Sequence, residues 1–247
     1  MLDTFFHPES IAVIGASRSP GKVGHAVLAN LKAGGFDGPL VAINPHADEI
    51  LGVECVPTTR DARGRCELAL IAVPAAEALE AARDAAWAGA RAVVVLSAGF
   101  CETGAEGAAR ERALTELCRE SSMRLLGPNS LGLIHTPSAL NASFARQMPA
   151  AGSVAVISQS GALAAAILDW AAGRRIGIST VVCTGNKADL GEAEVIEAVG
   201  RDDRTEVILC YVENLADGDR FIRAAETVTA EKPLVVPKAG VTSAGVT

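Results

Sequence analysis

Aromatic side chains are scarce in this sequence, at 4% of 247 residues, with two Trp and one Tyr. That is too few for a base-stacking platform. Lys and Arg number 22 against 29 Asp and Glu, a net charge of −7, and they form no cluster. Nucleic acid and anionic membrane surfaces are therefore not expected partners. No apolar run approaches the ~20 residues needed to cross a bilayer. The first ten residues carry Asp3 and Glu9 and no apolar stretch, so no signal peptide is expected there. Cys55, Cys66, Cys101, Cys118, Cys183 and Cys210 form no CxxC pair and have no histidine at ligand spacing. Neither a disulfide framework nor a metal site is expected, and a reducing, cytoplasmic home is. The histidines are His7, His25, His46 and His135, with none after position 135. A GxxxxGK[ST] phosphate loop is also missing.

Apolar residues are plentiful, at 49%, and the length suits one large domain or two small ones. Short apolar runs alternate with helical spacings. Residues 11–15, 40–44, 68–73, 92–96 and 124–127 read as strands. Val23, Ala26, Val27 and Leu31 mark one intervening helix, Ala75–Ala88 a second, and Ala113, Leu114, Leu117 and Cys118 a third. Strands apolar on both faces with helices between them predict a parallel, doubly wound α/β sheet. Residues 128–152, rich in Pro, Ser, Asn and Gly, break the rhythm and read as a crossing segment. The alternation then resumes, with strands at 154–157, Ile178–Cys183, 207–212 and 234–236. Between them lie a helix at 160–172, apolar nearly all round and so expected to be buried, and helices at 192–199 and around Phe221, Ala225 and Val228. The expected domains are thus 1–127 and 153–247.

In an open parallel sheet, ligands bind beyond the carboxyl ends of the strands. The first strand runs into Gly15-Ala16-Ser17-Arg18-Ser19-Pro20-Gly21-Lys22-Val23-Gly24. Small residues there let a ligand approach the backbone, the helix start offers free N–H groups to an anion, and Lys22 adds a charge. The same stretch also reads as an ordinary tight turn. It is not a GxGxxG fingerprint, and the second strand ends in Asn44-Pro45-His46, without the carboxylate that holds an NAD ribose. Val73-Pro74, Ser97-Ala98-Gly99-Phe100 and Gly127-Pro128-Asn129-Ser130 end three further strands. Singly each is turn punctuation; together on one sheet edge they describe a groove.

In the second half, Ser158-Gln159-Ser160-Gly161 joins a strand to a helix, a ready anion site. It also has the shape of a nucleophile turn, but the preceding glycine and any later histidine are missing, so a Ser-His-acid hydrolase is poorly supported. Thr184-Gly185-Asn186-Lys187-Ala188-Asp189 ends the next strand. Two helix N-termini aimed at one point would hold a doubly charged phosphate, with Asp189 as an N-cap. Glu213 follows a buried strand, either as a solvated loop acid or as a carboxylate that orients an imidazole.

The ordered motifs Pro8-Glu9-Ser10-Ile11-Ala12-Val13-Ile14-Gly15-Ala16-Ser17, Asn44-Pro45, Ser97-Ala98-Gly99-Phe100, Gly127-Pro128-Asn129, Ser158-Gln159-Ser160-Gly161, Gly185-Asn186-Lys187-Ala188-Asp189 and Tyr211-Val212-Glu213 resemble the α subunit, or α-like part, of NDP-forming acyl-CoA synthetases. The acetate-type, ADP-forming branch is the nearer likeness, which covers essentially the whole chain. The resemblance implies a Rossmann-like CoA-binding domain followed by a flavodoxin-like domain. Gly15, Ala16, Ser17, Lys22 and Gly24 would meet CoA phosphates. Asn44, Val73, Pro74, Ser97, Ala98 and Phe100 would line the CoA groove, and Asn129 would lie near the thioester. Ser158, Gln159, Ser160 and Gly161, with Asn186, Lys187 and Ala188, would open two helices onto phosphate, and Glu213 would steady a phosphohistidine. It further implies ADP or ATP with Mg²⁺ on an ATP-grasp β subunit or fused domain, and an oligomeric enzyme.

One departure stands out. The family passes phosphate through a histidine shortly after the last strand. Leu234-Val235-Val236-Pro237-Lys238-Ala239-Gly240 matches the approach to that loop, but the sequence reaches Thr247 without one. The expectation is that the histidine lies beyond the given sequence. The rival readings are a non-catalytic CoA-sensing module and an NAD-linked redox protein.

Overall fold

The computed structural model describes residues 2–239. A single helical turn, α1 (Asp3–Phe6), precedes β1 (Ile11–Ile14), α2 (Val23–Gly34), β2 (Leu40–Ile43), β3 (Glu49–Ile50), β4 (Val53–Val56), β5 (Leu68–Ile71), α3 (Ala75–Ala88), β6 (Ala92–Val95), α4 (Ala105–Glu120) and β7 (Arg124–Leu126). These strands form one sheet in the order β3-β4-β2-β1-β5-β6-β7, parallel except for β3. Side chains alternate across a strand, so Ile11 and Val13 pack towards Val27, Leu28 and Leu31 of α2. Ala12 and Ile14 face the opposite way, towards Ala78, Ala82 and Ala85 of α3 and Leu114 and Cys118 of α4. β1, β5 and β6 are consequently buried at every position.

The second sheet comprises β8 (Gly132–His135), β9 (Leu140–Ser143), β10 (Ala151–Ser158), β11 (Ile178–Cys183), β12 (Val207–Tyr211) and β13 (Leu234–Val235), in the order β13-β12-β10-β11-β8-β9. β10 to β13 are parallel, and β8 and β9 add an antiparallel edge. α5 (Gly161–Arg174) covers one face. α6 (Glu192–Gly200) and α7 (Gly218–Thr229) cover the other. Both sheets are therefore doubly wound, as the alternation implied.

Two secondary-structure elements differ from the sequence reading. Residues 128–152 carry the β8–β9 hairpin, although Gly132, Asn141 and Ser143 are weak strand formers. Tertiary contacts supply what propensity lacks: the Asn30 amide of α2 donates to the carbonyls of Ser143 (2.8 Å) and Ala145 (2.7 Å). The helix expected to be buried all round, α5, buries only Ala164, Leu168 and Ala171. Its apolar composition comes largely from alanine, which tolerates exposure, and Trp170 lies outside under the Arg174 guanidinium.

The two sheets are stitched along β7. The loop after β11 donates Asn186 N–H to Pro128 O (2.9 Å), Ala188 N–H to Gly127 O (3.0 Å) and Leu190 N–H to Leu125 O (3.3 Å). Gly185 makes this approach possible, because a Cβ there would lie 2.2 Å from Pro128 O, and its φ is +56°. Arg124 forks onto both oxygens of Asp189 at 2.9 and 3.0 Å, and Asp189 also accepts Leu125 N–H at 2.8 Å. Hydrogen bonding to Asp189 holds the Arg124 guanidinium above its ordinary pKa. Asp189 is thus a clamp between sheets and not the helix N-cap expected of it; Gly191 takes that position. Phe5, 3% exposed, packs into the same seam beside Leu126, Leu133 and Leu190.

Replacing Arg124 by Met should lower unfolding stability by about 2–3 kcal/mol, because it removes charge-assisted bonds and strands a half-buried carboxylate. Chemical denaturation measures this, and an unchanged midpoint would contradict the clamp. The cysteines give a second expectation. Cys101 is exposed and the other five are buried. Burial pushes Cys66, Cys118 and Cys210 up to about 12, while partial burial, followed by Glu111, raises Cys101 to about 11. In the native chain an alkylating reagent should modify one thiol, slowly at pH 8 and faster as pH climbs towards 11. Rapid labelling at pH 8 would refute the raised thiol.

Candidate functional site

The carboxyl ends of β2, β1, β5, β6 and β7 lie side by side, so the loops singled out in the front half of the sequence share one edge. They also touch. Gly15 N–H donates to Ile43 O at 3.3 Å. A Cβ on Gly15 would meet Val73 Cγ1 at 2.8 Å. The Ser97 hydroxyl donates to Val73 O. Asn129 N–H donates to Ser97 O at 2.9 Å. Gly24 abuts the same turn: a Cβ there would sit 2.0 Å from Gly15 O, so glycine alone lets α2 start this close to β1. The N-cap of α2, Lys22, is exposed and makes no side-chain cap, which leaves the first N–H groups of the helix for an anion.

Several front-edge side chains do something other than line a groove. Asn44 donates to Ala16 O at 2.8 Å and accepts from His46 N–H at 2.8 Å, so it fixes the turn. Phe100 is 1% exposed and its ring belongs to the core beneath α3 and α4. Ala98 and Pro74 are exposed, and Ser17, Val73 and Ser97 half-exposed. Sequence reasoning overlooked Arg18, whose Nη2 reaches His46 O at 3.2 Å, and His25, whose Nδ1 lies 2.9 Å from Ser17 O.

The rear sheet meets this edge at a cavity of about 660 Å³. Its lining includes Leu96, Asn129, Ser130, Leu131, Gln159, Ser160, Gly161, Ala162 and Glu213. Phe144, Arg146, Leu168 and Asp169 also line it. Ser160 is the N-cap of α5 and accepts Leu163 N–H at 3.2 Å. The Gly161 and Ala162 N–H groups precede the first intrahelical bond and carry the positive end of the helix dipole at the cavity wall. The Ser158 hydroxyl is occupied within its own turn, donating to Ser160 O at 2.9 Å and accepting Ser160 N–H at 3.1 Å.

The second helix mouth expected at this point is absent. α6 starts only at Glu192, and its cap N–H, from Gly191, is already taken by Glu194 at 3.1 Å. The Asn186 and Ala188 N–H groups are spent on the front sheet, and Lys187 N–H on Thr184 O at 3.2 Å. The Asn186 amide donates to Glu102 at 2.6 Å and Glu111 at 2.8 Å, and accepts from Asn129 at 3.3 Å. Residues 186–188 therefore join the sheets and offer a phosphate no free backbone N–H; among the described residues lining the cavity, Gly161 and Ala162 of the α5 mouth do.

Gln159 and Lys187 turn inward. Gln159 donates to Asn214 O at 2.7 Å and to the Glu192 carboxylate, and accepts the N–H groups of Glu213 (2.9 Å) and Asn214 (3.1 Å). Lys187 Nζ lies 3.2 Å from Glu192 and donates to Asn214 O and Oδ1 at 2.7 and 2.8 Å. Glu192, 4% exposed, gave no signal in the sequence, where an acid in a first helical turn looks like an ordinary dipole partner. Glu213 itself is exposed at the cavity wall.

No described helix is long and apolar enough to cross a membrane. Residues 9–136 match the family described as CoA binding domain, and residues 151–247 the succinyl-CoA ligase like flavodoxin domain. Acetate–CoA ligase (ADP-forming) I of Archaeoglobus fulgidus is 43% identical over 99% of this chain and 35% of its own length. Acetate–CoA ligase (ADP-forming) I subunit alpha of Pyrococcus furiosus is 39% identical over 97% of this chain and 53% of its own. The solved dinucleotide-forming acetyl-coenzyme A synthetase 1 of Ca. Korarchaeum cryptofilum, in complex with phosphate and ADP, superposes with a TM-score of 0.95 at 40% identity, covering 99% of this chain and 53% of that one. The chain thus spans a third to a half of the relatives it matches. With a matching CoA binding domain over half its length, and the flavodoxin-like domain that follows it in sequence, the chain belongs to the NDP-forming acyl-CoA synthetase family as an α-type part.

Proposed function

We propose that this chain is the CoA-binding α part of an ADP-forming acid–CoA ligase, which interconverts acyl-CoA, phosphate and NDP with acid, CoA and NTP. The observation that carries the reading is one cavity lined both by Leu96 and Asn129 of the front edge and by the α5 mouth with Glu213. A thioester delivered along the front edge and an anion held at a helix N-terminus would meet there. In the proposed division, residues 1–127 bind CoA, 128–152 cross over, and 153–247 handle phosphate.

Gly15, Ala16, Ser17, Lys22 and Gly24 would form the turn that receives the CoA phosphates; Gly15 N–H is spent on Ile43 O, so the donors would be the first N–H groups of α2 and the Lys22 ammonium. Val73, Pro74, Ser97 and Ala98 would flank the pantetheine, and Asn129 the thioester. A phosphate oxygen attacks the thioester carbonyl and CoA leaves as the thiolate, giving acyl phosphate. The Gly161 and Ala162 N–H groups at the α5 N-terminus stabilise the charge gathered on phosphate and on the tetrahedral oxygen. The phosphoryl group then passes to a histidine as the acid leaves as its carboxylate, and from that histidine to NDP; none of His7, His25, His46 or His135 matches the motif, and residues from Gly240 onward, past the approach Leu234–Ala239, lie outside the described ones. Glu213 would orient that imidazole and stabilise its cation.

The missing phosphate loop supports a nucleotide site elsewhere. We assign ADP or ATP and Mg²⁺ to an ATP-grasp β subunit or fused domain, within an oligomeric enzyme. Six free thiols support a reducing compartment such as the cytoplasm.

Calorimetric titration of the chain with CoA, and with NADH for comparison, tests the reading. CoA should bind and NADH should not; NADH binding without a CoA response would overturn it. Lys22→Glu should weaken CoA binding roughly tenfold, about 1.4 kcal/mol, by facing the phosphates with a like charge. Unchanged affinity would remove Lys22 from the site.

A further inference from the structure

We propose that Gln159, Lys187 and Glu192 form a buried positioning cluster that fixes the Glu213–Asn214 backbone, and so aims Glu213 into the cavity. The inference rests on the role proposed for Glu213 above and adds how that carboxylate is kept in place.

The geometry is closed on every side. The Gln159 carbonyl oxygen receives two consecutive N–H groups, from Glu213 and Asn214. Its amide nitrogen returns to Asn214 O at 2.7 Å. The same carbonyl accepts Lys187 Nζ at 2.7 Å, and the Asn214 side chain accepts it at 2.8 Å. Both donors converge on one acid: the amide nitrogen hydrogen-bonds Glu192, and the ammonium lies 3.2 Å from it. The Lys187 and Glu192 side chains are 8% and 5% exposed, so each charge depends on the other for neutralisation.

This cluster has the marks of a device and not of general packing. Lys187 adopts φ +60°, a strained conformation for a lysine, which turns its side chain inward from a loop otherwise committed to joining the sheets. Apolar residues of similar volume would fill the space without the cost of desolvating two charges. What they would not do is hold two successive amides and a carbonyl of a loop that has no regular structure of its own. From the other side, Lys238 Nζ donates to Glu213 O at 2.7 Å, so the segment is pinned at three of its four backbone polar groups by the cluster and at the fourth by Lys238. Among the described residues, no hydrogen bond or ion pair holds the Glu213 carboxylate, which lines the cavity.

The test uses the complete enzyme, with the remaining domains or subunits present. Glu192→Gln keeps the shape but leaves the buried ammonium unpaired. It should lower kcat by about 10- to 100-fold, the scale of a misplacement of about 1 Å, with KM for CoA unchanged. In a double-mutant cycle, Glu192→Gln combined with Glu213→Gln should be no slower than Glu213→Gln alone, since the first change acts only through Glu213. Additive losses would overturn the proposal. Hydrogen exchange provides a readout that needs no turnover: the Glu213 and Asn214 amides should exchange faster in Glu192→Gln than in the wild type, and equal rates would overturn it. An enzyme without acid–CoA ligase activity would sink the functional reading while leaving this exchange result to decide the cluster. Should Glu192→Gln fail to fold, the charge-neutral pair Lys187→Met with Glu192→Gln replaces it, with the same two readouts expected to move and the same null result decisive.

Discussion

Three backbone hydrogen bonds between residues 125–128 and 186–190, locked by the Arg124–Asp189 fork, hold the two sheets together at the mouth of the cavity. Together with the Asn30 bonds to the β9 segment and the apolar core the two sheets share, they bring the front edge and the α5 N-terminus to one cavity. Gly185 is what the contact demands, because any side chain would strike Pro128 O. The stitch therefore explains why a loop rich in small and polar residues has no backbone N–H left for an anion. Its donors are spent on geometry, and the geometry creates the site next door.

The cavity combines charges of both signs. The α5 mouth and Arg146 are positive, Glu213 and Asp169 negative. A bare carboxylate beside a phosphate site would repel the substrate unless its position were controlled. Under the proposed reaction, Glu213 must stand near enough to stabilise an imidazolium and far enough from the anion not to expel it. That requirement gives a physical purpose to the buried charges behind it, whose net contribution to stability would otherwise be small or negative.

Much of the architecture could be read from the sequence because it follows from burial. Strands apolar on both faces, such as Ile11–Ile14 and Leu68–Ile71, admit only a covered parallel sheet. Gly15 and Gly24 were legible for the same reason, since close approach excludes other residues. What escaped was decided by partners far away in sequence. The β8–β9 hairpin depends on Asn30, over a hundred positions earlier. Asp189 looked like a cap until Arg124 was opposite it. Asn186 to Ala188 had the composition of an anion loop, and only the fold revealed that their N–H groups were taken. Glu192 and Lys187 sit five residues apart across the start of a helix, and nothing local marks them as a buried pair.

If the front edge and the α5 mouth serve one reaction, a crystal structure of the chain with CoA and orthophosphate should show CoA lying across the ends of β1, β5 and β6, with its thiol near Asn129 and phosphate at Gly161 and Ala162 beside Glu213. CoA bound elsewhere, or phosphate absent from the α5 mouth while CoA is present, would contradict that shared reaction.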